Sequence, residues 1–589
     1  MVHFFTFLGL YKVRILFAIF VVFQDYNIKN LDTMNLKRTL LSLFVMGMAS
    51  LLYAQPYAYN PYDENEAESC TSIMVGKKAS TDGSVMTAHT CDSNYRTWLT
   101  MEKRKQYKAG DTQPIFTGAL HTEEPHDPRG LKEKGRIPAI DGETYRFLNV
   151  AYPCLNEKQL AIGETTTVGR RSLKDTAGLF LIEELERIAL ERCTTAREAI
   201  KLMGALAEEF GYGDNGECLT VADKNEVWHF EIYGTNMPKK DEPEAKGKKK
   251  KPSKFDKPGA LWVAQRIPDD HVGISANIPR ISTVDFNDPD NFMYASDLKE
   301  RTMHMGLWDG TSEFKFYKMV SDDKPFSVRE YFVFNTLAPS LGLKYDAEEL
   351  PFSIKPDKLV SPETMFALYR ETYEGTEFDQ VQGLDVVVDR RVRQHNGEYL
   401  NFKDTVCPVS TFMPNDLRAL FNKIKPNSAK RFRTIAVIQC SYSHIIQLRD
   451  WLPDEIGGVA YFAFDNPAQT PRVPIYCGET ELPKGFDVCG QHRYREDAAI
   501  WSYRETNRIA TINWDKTRHL LEPLVLDYEK LMMEECKKVE AAAAELIKQG
   551  KKDDAVKMLN EFTKKFEAST RSSWEELKRD IWPIFARGL

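Results

Sequence analysis

Ser69-Cys70-Thr-Ser-Ile-Met-Val-Gly-Lys-Lys-Ala-Ser-Thr-Asp-Gly-Ser84 is the stretch on which the fold turns, and it runs on as Val85-Met-Thr-Ala-His-Thr-Cys-Asp92. Residues 71–76 and 84–90 are apolar, β-rich runs, and Asp82-Gly83 between them is a turn signal. The pattern predicts a hairpin with Cys70 at its leading edge. Cutting the chain between Ser69 and Cys70 would put a thiol and a free α-amine on one residue. Their reference pKa values are about 8.5 and about 7.7–8.0, so one residue would hold a nucleophile and a base suited to neutral pH. The alternative is a small buried cysteine that opens a strand.

The 69 residues before Cys70 read as processing signals rather than fold. Met34 opens Met-Asn-Leu-Lys-Arg, an apolar run follows over 39–52, and Leu-Tyr-Ala-Gln gives a small-residue exit with cleavage after Ala54. Residues 34–54 are therefore expected to be a signal peptide and 55–69 a propeptide. Residues 1–33 hold a second apolar stretch, 4–23, broken by Lys12 and Arg14. A membrane span wants about 20 mostly apolar residues with few charges. The expectation is a non-native N-terminal extension, with an anchor as the competing explanation, and no stable membrane span in the mature chain.

Removal of 69 residues from 589 leaves 520, enough for a large core. The 79 basic and 86 acidic residues give a net charge of −7, which does not suggest nucleic acid. The single basic cluster, 246–251, lies within 238–259 among Pro, Glu, Asp and Gly, and reads as a solvated loop insertion. Ten cysteines without a C-x-x-C pair argue against zinc or a thioredoxin-like site. An exported chain meets conditions that permit disulfides, and a reactive Cys70 would leave nine others, so at least one more thiol stays unpaired. Cys91 is either close to the site or core.

Beyond the first hairpin, mixed α and β structure is expected. Residues 177–192 and 195–210 read as helices, the second opened by the capping box Thr195-x-x-Glu198 and closed by Gly211. Its apolar stripe is Ala199, Met203, Leu206 and Phe210. Residues 218–222 with 226–233, and 261–267 with 272–277, read as two further hairpins. Strands are expected over 433–440 and 458–464, and a helix over 362–373. A charged helical tail is expected over 516–582.

The chain has no G-x-S-x-G elbow, H-E-x-x-H or Walker A loop. Gly211-Tyr-Gly213-Asp-Asn-Gly216 satisfies G-x-G-x-x-G, but with a helix before it and a strand after it, the reverse of a dinucleotide fingerprint. Ser441-Tyr-Ser-His444 puts a hydroxyl near an imidazole and reads as a strand end rather than part of a triad.

The opening stretch resembles the start of the secernin-like cysteine dipeptidases, a branch of the N-terminal-nucleophile hydrolases. The likeness continues through Asn156-Glu-Lys-Gln-Leu-Ala-Ile-Gly-Glu-Thr-Thr, Ala222-Asp-Lys-Asn-Glu-Val-Trp-His-Phe-Glu-Ile and Trp262-Val-Ala-Gln-Arg-Ile-Pro-Asp. It resumes at Pro351-Phe-Ser-Ile-Lys-Pro-Asp-Lys, Tyr373-Glu-Gly-Thr, Ser443-His-Ile-Ile-Gln-Leu-Arg and Glu455-Ile-Gly-Gly-Val. It ends with Val473-Pro-Ile-Tyr-Cys-Gly and Ala498-Ala-Ile-Trp-Ser-Tyr-Arg. These pieces are collinear and cover nearly all of 70–589.

The resemblance implies an α+β fold, a four-layer αββα sandwich of two antiparallel sheets, in which 70–515 form the hydrolase domain and 516–589 a helical C-terminal segment on its core. It implies a precursor cut before the nucleophile and hydrolysis of small peptides without a metal or other cofactor. In these hydrolases an arginine and an aspartate at the end of the second strand orient the nucleophile. The family's Ala-Arg-Asn-Glu-Asp here reads Ala88-His89-Thr90-Cys91-Asp92, so Asp92 matches and His89 replaces arginine. A guanidinium is a permanently charged fork, whereas neutral histidine offers one donor and one acceptor.

The expected site is therefore Cys70 as nucleophile, Asp92 and His89 as orienting groups, and Asn215 in the oxyanion hole, the last against a turn role. Glu164 and Thr165 are expected to line the pocket, with Glu164 meeting a substrate amine. Arg280 is expected to hold a substrate carboxylate. The function expected is an exported, proteolytically matured cysteine dipeptidase, periplasmic, outer-surface or secreted. Its partners are small peptide substrates, and a homo-oligomer is compatible with the chain. Two alternatives stand beside it: an amidase of N-acyl small molecules of the bile-salt or penicillin acylase type, and a non-catalytic envelope binding protein.

Overall fold

Strand β1 (Ser69–Val75) is buried over 70–75 and pairs antiparallel with β2 (Val85–Asp92), as the computed structural model of the chain shows. Residues 69–167, 169–235, 255 and 257–586 are described. The expected signal peptide and N-terminal extension, the propeptide apart from Ser69, and most of the 238–259 insertion lie outside them. Strands buried on both faces read as continuous apolar runs, which is why this hairpin was legible. Gly83 takes the turn with φ 84°, and the Asp82 side chain accepts the Ser84 N–H at 3.1 Å.

β1 and β2 lie at the centre of a seven-stranded sheet. Its order is Ser353–Ile354, Val272–Ser275, β1, β2, Cys440–Leu448, Gly458–Phe464, Val473–Tyr476. An eight-stranded sheet runs Phe292–Tyr294, Leu261–Ile267, Val227–Tyr233, Gly216–Ala222, Ala161–Thr166, Leu155–Asn156, Phe147–Asn149, Thr100–Glu102. Every pairing in both is antiparallel. The two sheets touch where β1 and β2 meet Ala161–Thr166 and Gly216–Ala222. Hydroxyls stitch that contact: Ser72 Oγ donates to Glu164 O at 2.9 Å, and Thr87 Oγ1 lies 2.5 Å from Thr220 Oγ1. Gly163 permits the approach, because a Cβ there would stand 2.8 Å from the Ala88 carbonyl oxygen.

Helices Ile182–Arg192 and Ala196–Phe210 contact the eight-stranded sheet, and the second carries the expected Thr195–Glu198 capping box. Helices Val328–Leu337, Pro362–Tyr369, Ala499–Ile512, Trp514–Lys548 and Lys552–Ile581 contact the seven-stranded one. The main hydrophobic core runs from Ile73 to Ile581, so the helical tail shares the core of the sheets, and Val381, Met413 and Ala429 form a small separate cluster. Among the described residues, no helix is long and apolar enough to cross a membrane.

Four expectations about elements are corrected. Residues 261–267 and 272–277 do not form a hairpin. Leu261–Ile267 has both edges occupied by Val227–Tyr233 and Phe292–Tyr294, so Val272–Ser275 crosses to the other sheet and pairs with the open edge of β1. Residues 433–439 are not a strand; Ile435 and Ala436 are buried by packing, and the ladder begins at Cys440. The helix expected from 177 begins at Ile182, and the one expected to reach 373 ends at Tyr369. A hairpin of Val386–Arg393 with Tyr399–Val406 was not foreseen.

Candidate active site

Cys70 is fully buried on β1, opposite Cys91 on β2. Its main-chain N–H donates to Asn277 Oδ1 at 3.0 Å, and its carbonyl accepts from Arg329 Nη1 at 2.7 Å. Asn277 follows Val272–Ser275 with φ 64°, a left-handed conformation that asparagine tolerates better than most residues. Its Nδ2 donates to Thr166 O at 2.7 Å, which fixes the amide's orientation. Arg329 Nη2 closes the group by donating to Asn277 Oδ1 and Ala276 O, both at 2.8 Å.

Asp92 ends β2. Its Oδ2 accepts from Thr90 Oγ1 at 2.8 Å and from Arg433 Nη2. Arg433 Nε donates to Ser69 Oγ at 3.0 Å, so one guanidinium spans the aspartate and the residue before Cys70. Ser69 and Arg433 line a pocket of about 280 Å³ that Thr411, Arg418 and Arg431 also line. That is just under the ~300–1,000 Å³ usual for drug-sized ligands and suits a smaller one.

His89 Nδ1 lies 2.6 Å from the Glu164 carbonyl oxygen, and its ring packs among Tyr152, Tyr442 and His444. Burial pushes its pKa down to about 4 despite that hydrogen bond, so the ring is neutral at physiological pH. It does not replace the charge of an arginine. The guanidinium groups come instead from Arg329 and Arg433, distant in sequence. Cys70, His89 and Glu164 bring a sulfur, a ring nitrogen and a carboxylate oxygen within 4.8 Å of one another.

Burial pushes the Cys70 thiol well up, and Glu164, Cys91 and Asp92 add to the effect; the Asp92 main-chain N–H opposes it. In the uncut chain the thiol is therefore held protonated. Glu164 is buried on Ala161–Thr166 and accepts from Thr166 Oγ1 at 3.1 Å. Glu217 on the next strand is pushed well up by burial and by the neighbouring Glu164. Thr165 Oγ1 meets Ser275 Oγ at 2.5 Å between the sheets.

The fold thus gathers Cys70, His89, Asp92 and Glu164, with Thr165 on the adjoining face. Asn215 and Arg280 hydrogen-bond elsewhere. The Asn215 amide donates to Gly169 O at 3.2 Å. The Arg280 guanidinium is buried against the carbonyls of Pro325, Pro351 and Phe352, where it ties loops together. Asn277, Arg329 and Arg433 were missed. Asn277-Ile-Pro carried a weak signal, an asparagine leaving a strand before proline; nothing local marked the two arginines.

The family model of peptidase family C69 matches residues 69–526, and the chain belongs to that family. It is 24% identical over 444 residues to a protein of Latilactobacillus sakei named "Probable dipeptidase", covering 72% of this chain and 77% of the relative. It is 22% identical to "Dipeptidase A" of Lactobacillus helveticus, over 80% of this chain and 87% of the relative. A "Probable dipeptidase" of Salmonella dublin is 23% identical, over 71% and 83%.

Proposed function

We propose that the chain is a cysteine dipeptidase of the N-terminal-nucleophile type, exported and matured by cleavage between Ser69 and Cys70. The observation that carries this reading is the acceptor already in place for the Cys70 nitrogen. Asn277 Oδ1 takes its N–H in the uncut chain and would take one from the freed α-amine, leaving the nitrogen lone pair for the thiol proton. The two facing antiparallel sheets, each with its own set of helices, are read as the αββα sandwich of such hydrolases.

Cys70 Sγ attacks the scissile carbonyl while its proton passes to the α-amine. The leaving amine takes that proton, and water releases the acyl group from the thioester. The main-chain N–H of Asp92, already next to Sγ, is placed to donate to the oxyanion. Arg329 holds Cys70 O and Asn277 Oδ1 in register.

Glu164 and Arg433 lie near Cys70 with opposite charge, one beside the sulfur and the other at Ser69. A dipeptide carries an ammonium two bonds before its scissile carbonyl carbon and a carboxylate just beyond the amide. Glu164 is assigned the ammonium. Arg433, released from Ser69 by cleavage, is assigned the carboxylate in place of Arg280. N-terminal sequencing and intact mass of the exported protein test the maturation, and a panel of free, N-acylated and C-amidated dipeptides tests the substrate. An active chain that starts before Cys70, or a preference for N-acylated substrates, would overturn the reading.

A further inference from the structure

Cys70 and Cys91 stand directly opposite each other on adjacent antiparallel strands. Directly opposed residues point to the same face and are of two kinds. In one they exchange main-chain hydrogen bonds; in the other the main-chain groups turn away and the Cα atoms close to about 4.5 Å. Cys70 belongs to the second kind. Its N–H goes to Asn277 and its carbonyl to Arg329, both on the side away from β2. The next N–H along, that of Thr71, faces β2 instead, where the Thr90 side-chain Oγ1 accepts it at 2.9 Å. A Cα separation of about 4.5 Å falls inside the ~4.4–6.8 Å range that a disulfide spans.

We propose that Cys70 and Cys91 are a disulfide-forming pair, through which a peroxide reversibly blocks the nucleophile. Both are thiols in this structure. The inference rests on Cys70 being the thiol that receives substrate, since an opening that admits a peptide carbonyl admits hydrogen peroxide. The Cys70 sulfur attacks one peroxide oxygen, the O–O bond breaks, and Cys70 sulfenic acid and water form. The Cys91 sulfur then attacks the Cys70 sulfur, the S–O bond breaks, and the hydroxide leaves as water with the Cys91 proton. Sulfur loses two electrons in all and peroxide gains them. Cys440, the other nearby cysteine, is opposite Asp92 across the far edge of β2 and donates its thiol to Tyr442 O at 3.1 Å. The pairing is therefore with Cys91.

The test treats the mature enzyme with hydrogen peroxide, blocks remaining thiols with N-ethylmaleimide and maps the digest by mass. The expected result is a linked Cys70–Cys91 peptide, two hydrogens lighter than its parts, with dipeptidase activity lost and then restored by dithiothreitol. Cys91→Ser should turn over dipeptides before treatment but lose activity irreversibly after it, with Cys70 carried to the sulfinic acid. Sulfinic Cys70 with alkylated Cys91 in the wild type would overturn the proposal, and that result does not depend on how the variant folds. Failure of the dipeptidase reading is seen separately, as activity that survives Cys70→Ala.

Discussion

Asn277 Oδ1 accepts the main-chain N–H of Cys70 at 3.0 Å, although the two residues are 207 positions apart in the chain. In a matured chain that contact orients the α-amine rather than a peptide. Asn277→Ala should lower kcat on the order of 10²-fold, the range for a general base that loses its orientation, with KM less affected. Asn277→Asp keeps the acceptor and should recover part of the loss. An unchanged kcat in Asn277→Ala would remove the α-amine from the mechanism.

Cys70→Ala should abolish turnover of every dipeptide. If the chain cuts itself, intact mass should also show it uncut at Ser69. Loss of activity in a correctly cut Cys70→Ala chain would assign cleavage to another protease and leave the nucleophile's role intact.

Arg433 is the proposed carboxylate holder. Hydrogen bonds to charged groups contribute about 1.5–3 kcal/mol, so Arg433→Ala should raise KM for free dipeptides roughly 10- to 100-fold. The same change should affect a C-terminally amidated dipeptide much less. Equal losses on both substrates would mean that Arg433 acts only by holding Asp92.

His89 gives a stability prediction with a definite sign. Its folded pKa, about 4, is below the ordinary value of 6.5, so the unfolded chain binds the proton more tightly between those values. Stability from the buried neutral ring is complete above pH ~6.5 and is lost as pH falls toward 4, by up to about 3 kcal/mol. His444, opposite His89 on the next strand, is pushed down by burial, by His89 and by Arg472, and adds in the same direction. Chemical denaturation from pH 7 to 4 should show a steeper acid loss in the wild type than in His89→Asn. Parallel curves would refute the assignment.

The tail should matter for stability rather than chemistry. Trp574 is fully buried, donates to Asn507 Oδ1 at 3.1 Å and packs against Tyr503 and Tyr528. Trp574→Ala should cost about 3–5 kcal/mol in denaturant unfolding, with kcat/KM of the remaining folded enzyme unchanged.

The sequence carried the local elements well. The first hairpin, the capping box at Thr195 and the strand at Gly458–Phe464 follow from periodicity, turn residues and side-chain chemistry within a few positions. It failed where a strand's partner is chosen by which edge is open, as with Val272–Ser275. It failed again where an apolar run is buried without a ladder, as at 433–439.

The same division holds for the site. That Cys70 opens a strand, that Asp92 ends the next one and that His89 lies between them on β2 follow from short-range order, because neighbours in a hairpin are neighbours in sequence. That Asn277, Arg329 and Arg433 close around Cys70 was decided by the tertiary structure alone. Hydrogen bonds between segments hundreds of residues apart depend on sheet order and loop packing, and no local pattern encodes those. A histidine that looked like a weakened arginine became a buried neutral ring for the same reason: its charge was set by the residues packed around it.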